Sequence, residues 1–187
     1  ISCASVPNSE NIKKAETLTK IGYSYLDNGQ INEAFIEFQK ALALNPNDKE
    51  ALYNLGYISS IFKKFPEAIS YYKRALSIDP DYAEATNNLG VIYTEMGNWD
   101  EAIKHFKAAL DNSVYLTPAW AYSNMSYAYY KKGDYLNAEN AIKDALLRNP
   151  ISTKAVYILG LIYIETNNEE AAIEEFKKAI GILPDYT

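Results

Sequence analysis

The sequence predicts an all-α chain, a solenoid of five consecutive helix-turn-helix repeats of 34 residues. One observation is an alanine that returns at this spacing, with a single two-residue slip, as Ala34, Ala68, Ala102, Ala138 and Ala172. Another is that apolar and small residues recur three and four positions apart, which is the spacing of one helical face. Glycine and proline also punctuate most copies at the same points. Arrays of this kind typically present a surface that holds other proteins.

The first helix of each copy follows from positions that hardly vary. The copies cover about residues 15–48, 49–82, 83–118, 119–152 and 153–186. Their eighth residue is always small, as Gly22, Gly56, Gly90, Ser126 and Gly160. A glycine inside a helix costs up to about 1 kcal/mol relative to alanine. Its recurrence therefore predicts that a second helix packs closely there. The eleventh residue is a tyrosine in four copies and Ser59 in the second.

The second helix of each copy carries the recurring alanine and, four residues later, a bulky residue: Phe38, Tyr72, Phe106, Ile142 and Phe176. Between the helices, three copies place a glycine that can end the first helix in a left-handed conformation. Asn167 is expected to do the same in the fifth copy. Lys63 has this place in the second copy, where we expect Pro66 to determine the turn. Proline after the second helix predicts its end in all copies but the third.

A small residue at position eight, an aromatic at eleven, alanine at twenty and twenty-seven, and proline at thirty-two together resemble the tetratricopeptide repeat pattern. The resemblance covers about residues 15 to 186. It implies a right-handed α-solenoid that forms a single domain over residues 15–187, preceded by an N-terminal tether over residues 1–14. It also implies that the first helix of each repeat lines a concave face, with its second, fifth, sixth, ninth and twelfth residues pointing inward.

These inward positions are rich in asparagine and tyrosine. Asparagines at the sixth position can pair with both the N–H and the C=O of an extended peptide. Tyrosines offer the amphipathic contact area that recurs at binding hot spots. The predicted partner-binding groove consists of Tyr23, Tyr53, Asn54, Tyr57, Asn87, Asn88, Trp120, Asn124, Tyr127, Tyr130 and Tyr157. The alternative for each tyrosine is simple packing between adjacent first helices.

Charged residues on the same face modify this expectation. Chaperone adaptors of the family grip a C-terminal carboxylate with lysine and arginine at groove positions of successive repeats. Here Glu84 and Asn88 stand where the third repeat would need those cations, so we do not expect such a clamp. The first three repeats are instead acidic, through Glu16, Glu50, Glu84 and Glu95. This suits a partner with basic or apolar segments, and an ordinary solvated rim is the alternative.

Composition argues against several classes of function. A net charge of −6 and a pI near 4.9 disfavour nucleic acid as a partner. No apolar run reaches the ~20 residues that span a bilayer. One histidine and one cysteine do not supply the usual ligands of zinc or haem. We therefore expect no cofactor, no metal and no enzymatic activity.

The N-terminus adds a second pattern. Ile1-Ser2-Cys3-Ala4-Ser5 resembles the end of a bacterial lipoprotein signal, in which the cysteine is acylated after cleavage. Cys3 is the single cysteine of the chain, and residues 4 to 11 lack hydrophobic periodicity, as a flexible tether does. The resemblance implies lipidation of Cys3 and an outer-membrane anchor facing the periplasm. The alternative is an exposed cysteine without a role, in which case we expect a cytoplasmic protein.

The junction between the third and fourth repeats is two residues longer than the others and runs from Asp111 to Ala119. We expect Thr117 to cap the next helix and Pro118 to occupy its first turn. This junction, followed by Tyr122-Ser123-Asn124-Met125, resembles type IV pilus biogenesis lipoproteins of the PilF/PilW type. Those are tetratricopeptide lipoproteins that help the pilus secretin reach the outer membrane and assemble. They usually carry a sixth repeat, and five are present here.

The function expected from these patterns is that of a membrane-tethered, pilotin-like scaffold. Its groove would bind a protein or an extended peptide, such as a segment of a secretin subunit. The alternative is a soluble or periplasmic adaptor that gathers proteins unrelated to pili. The last repeat offers a further interpretation, self-association, because it exposes apolar residues without a polar capping helix. These residues are Ile173, Phe176, Ile180 and Ile182.

Overall fold

The structure is a computed structural model that describes residues 8–182. This part of the chain contains ten α-helices and no strand. The helices are α1 (Ser9–Asp27), α2 (Ile31–Leu44), α3 (Lys49–Ile61), α4 (Phe65–Ile78), α5 (Ala83–Glu95), α6 (Trp99–Leu110), α7 (Pro118–Lys132), α8 (Tyr135–Arg148), α9 (Thr153–Glu165) and α10 (Glu169–Ile182). Each predicted copy corresponds to one pair of helices, but α1 begins at Ser9, so residues 9–14 of the expected N-terminal tether are helical. None of these helices has the length and apolar character needed to cross a membrane. Cys3 and Pro184 lie outside the described residues.

The helices form two compact units, one up to Asn88 and the other from Leu89 onward. We call them unit 1 and unit 2, and their boundary falls within α5. In unit 1, α1 packs on α2, α2 on α3, and α3 on α4. In unit 2, α6 packs on α7, α7 on α8, α8 on α9, and α9 on α10. The single domain expected across residues 15–187 stays a prediction.

Small residues within the first helices let the second helices approach closely, as the sequence predicts. A Cβ atom placed on Gly56 would lie 2.8 Å from the ring of Tyr72. The corresponding distance from Gly160 to the ring of Phe176 is 2.5 Å. Such distances are far below van der Waals contact, so only glycine fits against an aromatic ring there. The same arrangement recurs in the first and third repeats, with Gly22 against Phe38 and Gly90 against Phe106.

The fourth repeat replaces both members of this pair. Ser126 stands in place of the glycine, and Ile142 stands in place of the ring. Both are fully buried, and the Ser126 hydroxyl donates a hydrogen bond of 2.7 Å to the carbonyl oxygen of Ala138. Ile142 on α8 is smaller than an aromatic residue and therefore leaves room for the Ser126 side chain on α7. The Ser126 hydroxyl has its hydrogen-bond partner within the same helix pair.

The turns within the repeats use left-handed residues. Three are glycines with φ between 71° and 82°, and Asn167 has φ 57°, as predicted. Lys63 also adopts this conformation, with φ 56°. The expectation that Pro66 determines this turn was therefore incomplete: Pro66 lies in the first turn of α4, but Lys63 carries the left-handed backbone. A side chain in this region costs about 1–2 kcal/mol relative to glycine.

The longer junction in unit 2 connects the end of α6 to Pro118, which lies in the first turn of α7 as expected. Thr117 occupies the N-cap position of α7 as expected, but its side chain makes no capping hydrogen bond. Tyr115 instead fixes the junction by burying its ring, which is 8% exposed. Val114 and Leu116 on either side of it are exposed.

Candidate functional site

The inward-facing residues of unit 1 are held together by a carboxylate that two phenols share. Glu50, in the first turn of α3, accepts a hydrogen bond of 2.9 Å from the hydroxyl of Tyr23 on α1. It accepts a second, also of 2.9 Å, from Tyr82, which precedes α5. Burial raises the pKa of both phenols above the usual value, and the negative charge of Glu50 raises it further. Both tyrosines therefore stay protonated and donate to the carboxylate.

A second set of contacts joins Asn88 to the same cluster. Its side-chain nitrogen donates to the hydroxyl of Tyr53 at 3.1 Å and to that of Tyr72 at 3.2 Å. The ring of Tyr53 packs on the rings of Tyr72 and Tyr82, with centroids 5.8 and 5.1 Å apart. Burial is also the main cause that raises the pKa of the Tyr72 phenol. We call this set the phenol network, which consists of Tyr23, Glu50, Tyr53, Tyr72, Tyr82 and Asn88.

The other predicted groove residues of unit 1 divide into buried and exposed ones. Asn54 and Asn87 are only 3% and 6% exposed. The Asn54 side chain donates to the backbone oxygen of Glu50 at 2.7 Å, and that of Asn87 donates to the side-chain oxygen of Asn88 at 3.3 Å. Tyr57 is 43% exposed. The predicted groove asparagines of unit 1 thus lie among the packed helices, and their side chains hydrogen-bond within the unit.

The inward-facing residues of unit 2 have a different centre, the pair formed by Lys154 and Asn124. Lys154 lies in the first turn of α9 and donates a hydrogen bond of 2.7 Å to the side-chain oxygen of Asn124 on α7. Although Lys154 as a whole is exposed, nearby protein atoms desolvate its ammonium group and lower its pKa, and the charge of Glu95 opposes this effect. A cation with a neutral amide as its hydrogen-bond partner is suited to receive an anion.

Two cavities meet at this pair. One, of about 330 Å³, has largely apolar walls that include Val91, Tyr127 and Tyr157, and the carboxylate-bearing Glu95 also lines it. The other, of about 270 Å³, is lined by Trp120, Ser123, Asn149 and Ser152. Asn124 and Lys154 line both cavities. We call the two cavities and the pair between them the Lys154 groove.

Aromatic residues beside the Lys154 groove differ in how firmly they are held. Tyr127 stacks on Tyr130 with centroids 6.2 Å apart, and the Lys131 ammonium lies 5.5 Å from the centre of the Tyr127 ring. The hydroxyl of Tyr130 lies 3.5 Å from a carboxylate oxygen of Glu165. Trp120 and Tyr157 are 69% and 51% exposed, and the ring of Tyr157 packs on that of Phe176 with centroids 5.7 Å apart. The structure thus brings Asn124, Tyr127, Tyr157 and Trp120 to the groove, with Tyr130 next to it.

Lys154 was not among the predicted site residues. The signal was present, because Lys154 occupies the second position of the fifth repeat, one of the inward-facing positions of the resemblance. Glu50 occupies the same position in the second repeat and was interpreted as part of an acidic rim. Its role in the phenol network shows that this carboxylate is engaged within unit 1. Among residues 8–182, no cluster of histidine, cysteine and acidic residues could hold a metal ion.

Comparison with known families gives a consistent result along the chain. Two family models described as tetratricopeptide repeat match residues 81–147 and 124–187. A third, described as TPR repeat, matches residues 22–58 and 63–97. No curated protein sequence matches the chain.

Solved structures share this fold. The structure of PilW, described as a widely conserved type IV pilus biogenesis factor, is 25% identical with a TM-score of 0.86, over 92% of this chain and 79% of PilW. Pseudomonas aeruginosa PilF is 17% identical with a TM-score of 0.83, over 92% and 78% of the two chains. MamA from Desulfovibrio magneticus RS-1 is 20% identical with a TM-score of 0.78, over 92% and 97%. The likeness to PilF and MamA concerns the fold alone.

Proposed function

The chain belongs to the tetratricopeptide repeat family of protein-interaction scaffolds, and we propose that its Lys154 groove binds an extended segment of a partner protein. The observation that carries this proposal is the Lys154–Asn124 pair between two cavities. A segment that places a carboxylate on the ammonium group would direct a neighbouring apolar side chain into the cavity beside Tyr127. Its other neighbour would lie against Trp120.

The energetic argument concerns desolvation. Lys154 is exposed as a whole, but the protein atoms around its ammonium group partly desolvate that group and lower its pKa. A carboxylate that binds there gains attraction in a partly desolvated site, where charge pairs are stronger than in bulk water. Exposed Trp120 and Tyr157 supply the rigid aromatic area that is common at binding hot spots.

Unit 1 is the weaker candidate for binding a partner segment. Its inward-facing phenols and amides hydrogen-bond to one another, so a peptide would have to displace internal partners. Loss of such a partner leaves a partly buried polar group unsatisfied, at about 1–3 kcal/mol. We therefore assign recognition to unit 2 and a mainly structural role to the phenol network.

For the cellular role, we propose a membrane-tethered, pilotin-like factor that assists assembly of a type IV pilus secretin. Two observations support this: the likeness to PilW, and the pattern around Cys3 that resembles a lipoprotein signal. Lipidation of Cys3 would anchor the protein to the outer membrane on its periplasmic side. A partner set with no pilus or secretin component would instead favour the generic adaptor.

Capture of partners from an envelope extract of the native host tests both the groove assignment and the proposed role in pilus assembly. We expect the intact protein to retain a pilus or secretin component, and Lys154→Ala to lose most of it, in line with a hot-spot loss above about 1 kcal/mol. Lys143→Ala is the matched control, because this lysine pairs with Glu139 on α8 and does not line the groove. Equal capture by both variants would contradict the groove assignment.

The proposed anchor has a separate test. The mass of the protein purified from native membranes should show an acylated Cys3 at the N-terminus. An unmodified Cys3 within a longer chain would refute the lipoprotein assignment and leave the groove assignment untouched.

A further inference from the structure

The second repeat differs from the others at one position of its first helix. Four copies have a tyrosine at the eleventh position: Tyr25, Tyr93, Tyr129 and Tyr163. All four rings are partly buried and pack against the cores of their units. The second copy has Ser59 instead. The eleventh position, which holds an aromatic ring in the other four copies, therefore holds none in the second copy.

Ser59 is buried but unsatisfied. The residue is 1% exposed, and its hydroxyl has no hydrogen-bond partner among residues 8–182. A buried hydroxyl without a partner costs about 1–3 kcal/mol. Nearly all buried polar groups in folded proteins are paired, so this exception needs an explanation.

Ser59 is one of the residues that line a cavity. It has a volume of about 400 Å³ and is lined by Asn32 and Phe35 of α2, Ser59 of α3, Phe62 and Lys64. Phe35 and Phe62 provide aromatic walls, and Asn32 and Lys64 provide polar edges. Phe62 is 51% exposed, so the cavity is accessible from the surface.

The fourth repeat indicates what such a cavity accommodates. There, Tyr129 packs against the core cluster that contains Ile103. Ile103 occupies the same position of its repeat as Phe35 does in the first repeat. Phe35 thus corresponds in repeat position to one member of the cluster against which a phenol ring packs in unit 2.

We propose that the cavity beside Ser59 is a binding site for a tyrosine side chain of a partner protein. The ring enters between Phe35 and Phe62, with its hydroxyl leading toward the unsatisfied Ser59 oxygen. Tyrosine fits better than phenylalanine, because its hydroxyl supplies the hydrogen bond that Ser59 lacks. The site lies in unit 1 and shares no residue with the Lys154 groove, so the two proposals stand or fall separately.

The test uses p-cresol, which is the side chain of tyrosine, and toluene, which is that of phenylalanine, with affinities measured by ligand-observed NMR. We expect the full chain to bind p-cresol up to about tenfold more tightly than toluene, the value of one hydrogen bond. Ser59→Ala should remove this preference and keep toluene binding. Ser59→Tyr should abolish the binding of both, because its own ring fills the cavity.

Ser60→Ala is the matched control. It removes a hydroxyl from the next residue of α3, which does not line the cavity and donates to the Tyr57 carbonyl oxygen, and it should leave both affinities unchanged. Phe62→Ala supports the test if Ser59→Tyr does not fold, since this exposed wall can be removed with little risk to the core. It should weaken p-cresol binding several-fold.

Three results would overturn the proposal. One is that the wild-type chain binds no p-cresol up to the solubility limit of the compound. Another is that toluene binds as tightly as p-cresol to the wild-type chain. The third is that p-cresol binding survives Ser59→Tyr or, where that variant does not fold, Phe62→Ala.

Discussion

Glu50 in unit 1 and Lys154 in unit 2 occupy the same position of their repeats, yet their surroundings differ. Two phenols donate to Glu50 at 2.9 Å, so its charge is satisfied within the unit. Lys154 has the neutral amide of Asn124 as its partner and a cavity on each side. One repeat position therefore holds unit 1 together through Glu50, while in unit 2 it carries the lysine that we propose binds a partner. The residues that contact this position determine the difference.

The largest effect is expected at the close contact between a glycine and an aromatic ring, which both units contain. Gly56→Ala and Gly160→Ala should each lower the free energy of unfolding by about 1–3 kcal/mol, because the added Cβ would overlap a ring on the second helix. Urea unfolding measures this loss. Gly181→Ala on α10 is the control, since nothing lies within 4 Å of its added Cβ. A loss no greater than that of the control would show that the rings are not tightly held.

A second experiment compares the loss of Glu50 in unit 1 with the loss of Lys154 in unit 2. Glu50→Ala should lower the free energy of unfolding by about 1–2 kcal/mol, because two phenols lose their acceptor. Lys154→Ala should change it by less than about 0.5 kcal/mol, because the residue is exposed and its hydrogen bond to Asn124 lies at the surface. The first variant should keep the captured partner, and the second should lose it. If the two variants changed stability equally, the division of roles between the units would be wrong.

A smaller effect is expected at the left-handed turns. Lys63→Gly in unit 1 should raise the free energy of unfolding by about 1 kcal/mol, because glycine adopts φ 56° without strain. Asn167→Gly in unit 2 should gain less, since asparagine tolerates this conformation better than lysine does. Thermal unfolding of the two variants compares these gains. A larger gain at Asn167 than at Lys63 would contradict this ranking.

The smallest effect appears only in alkaline solution. The pKa values of Tyr23, Tyr72 and Tyr82 are raised in the folded state, chiefly by burial. Unfolded phenols lose their protons near pH ~10. The stability that these groups contribute is therefore complete below that pH and is lost as the pH rises above it. Tyrosinate absorbance should show a late-titrating class, and Tyr82→Phe should remove one member. An unchanged titration curve in that variant would argue against the phenol network.

The repeat architecture could be predicted from the sequence because the same residue types recur at the same positions of each copy. The small residue in the first helix, the bulky residue in the second and the left-handed turn all appear in the structure where the pattern places them. Lys63 was harder, since a lysine gives no sign of a left-handed backbone. Its conformation is imposed by the helices on either side of the turn.

The groove was predictable in its positions but not in its contacts. Asn88 and Asn124 occupy equivalent positions of their repeats, and nothing local to either distinguishes them. Asn88 meets the phenols of Tyr53 and Tyr72, whereas Asn124 meets an ammonium group. These partners come from residues about 16 to 35 positions away. They are chosen by how the helices pack, which periodicity alone does not specify.

The Ser126–Ile142 pair of the fourth repeat bears on the order in which such a chain can change. Where an aromatic ring touches the glycine, a serine would overlap the ring, so the ring must shrink first. Once isoleucine is present, serine is tolerated, and its hydroxyl gains a bond to Ala138. The return of a ring at position 142 is then blocked until the serine reverts to glycine. In this repeat, the residue at one position of the pair therefore determines which residues the other position accommodates.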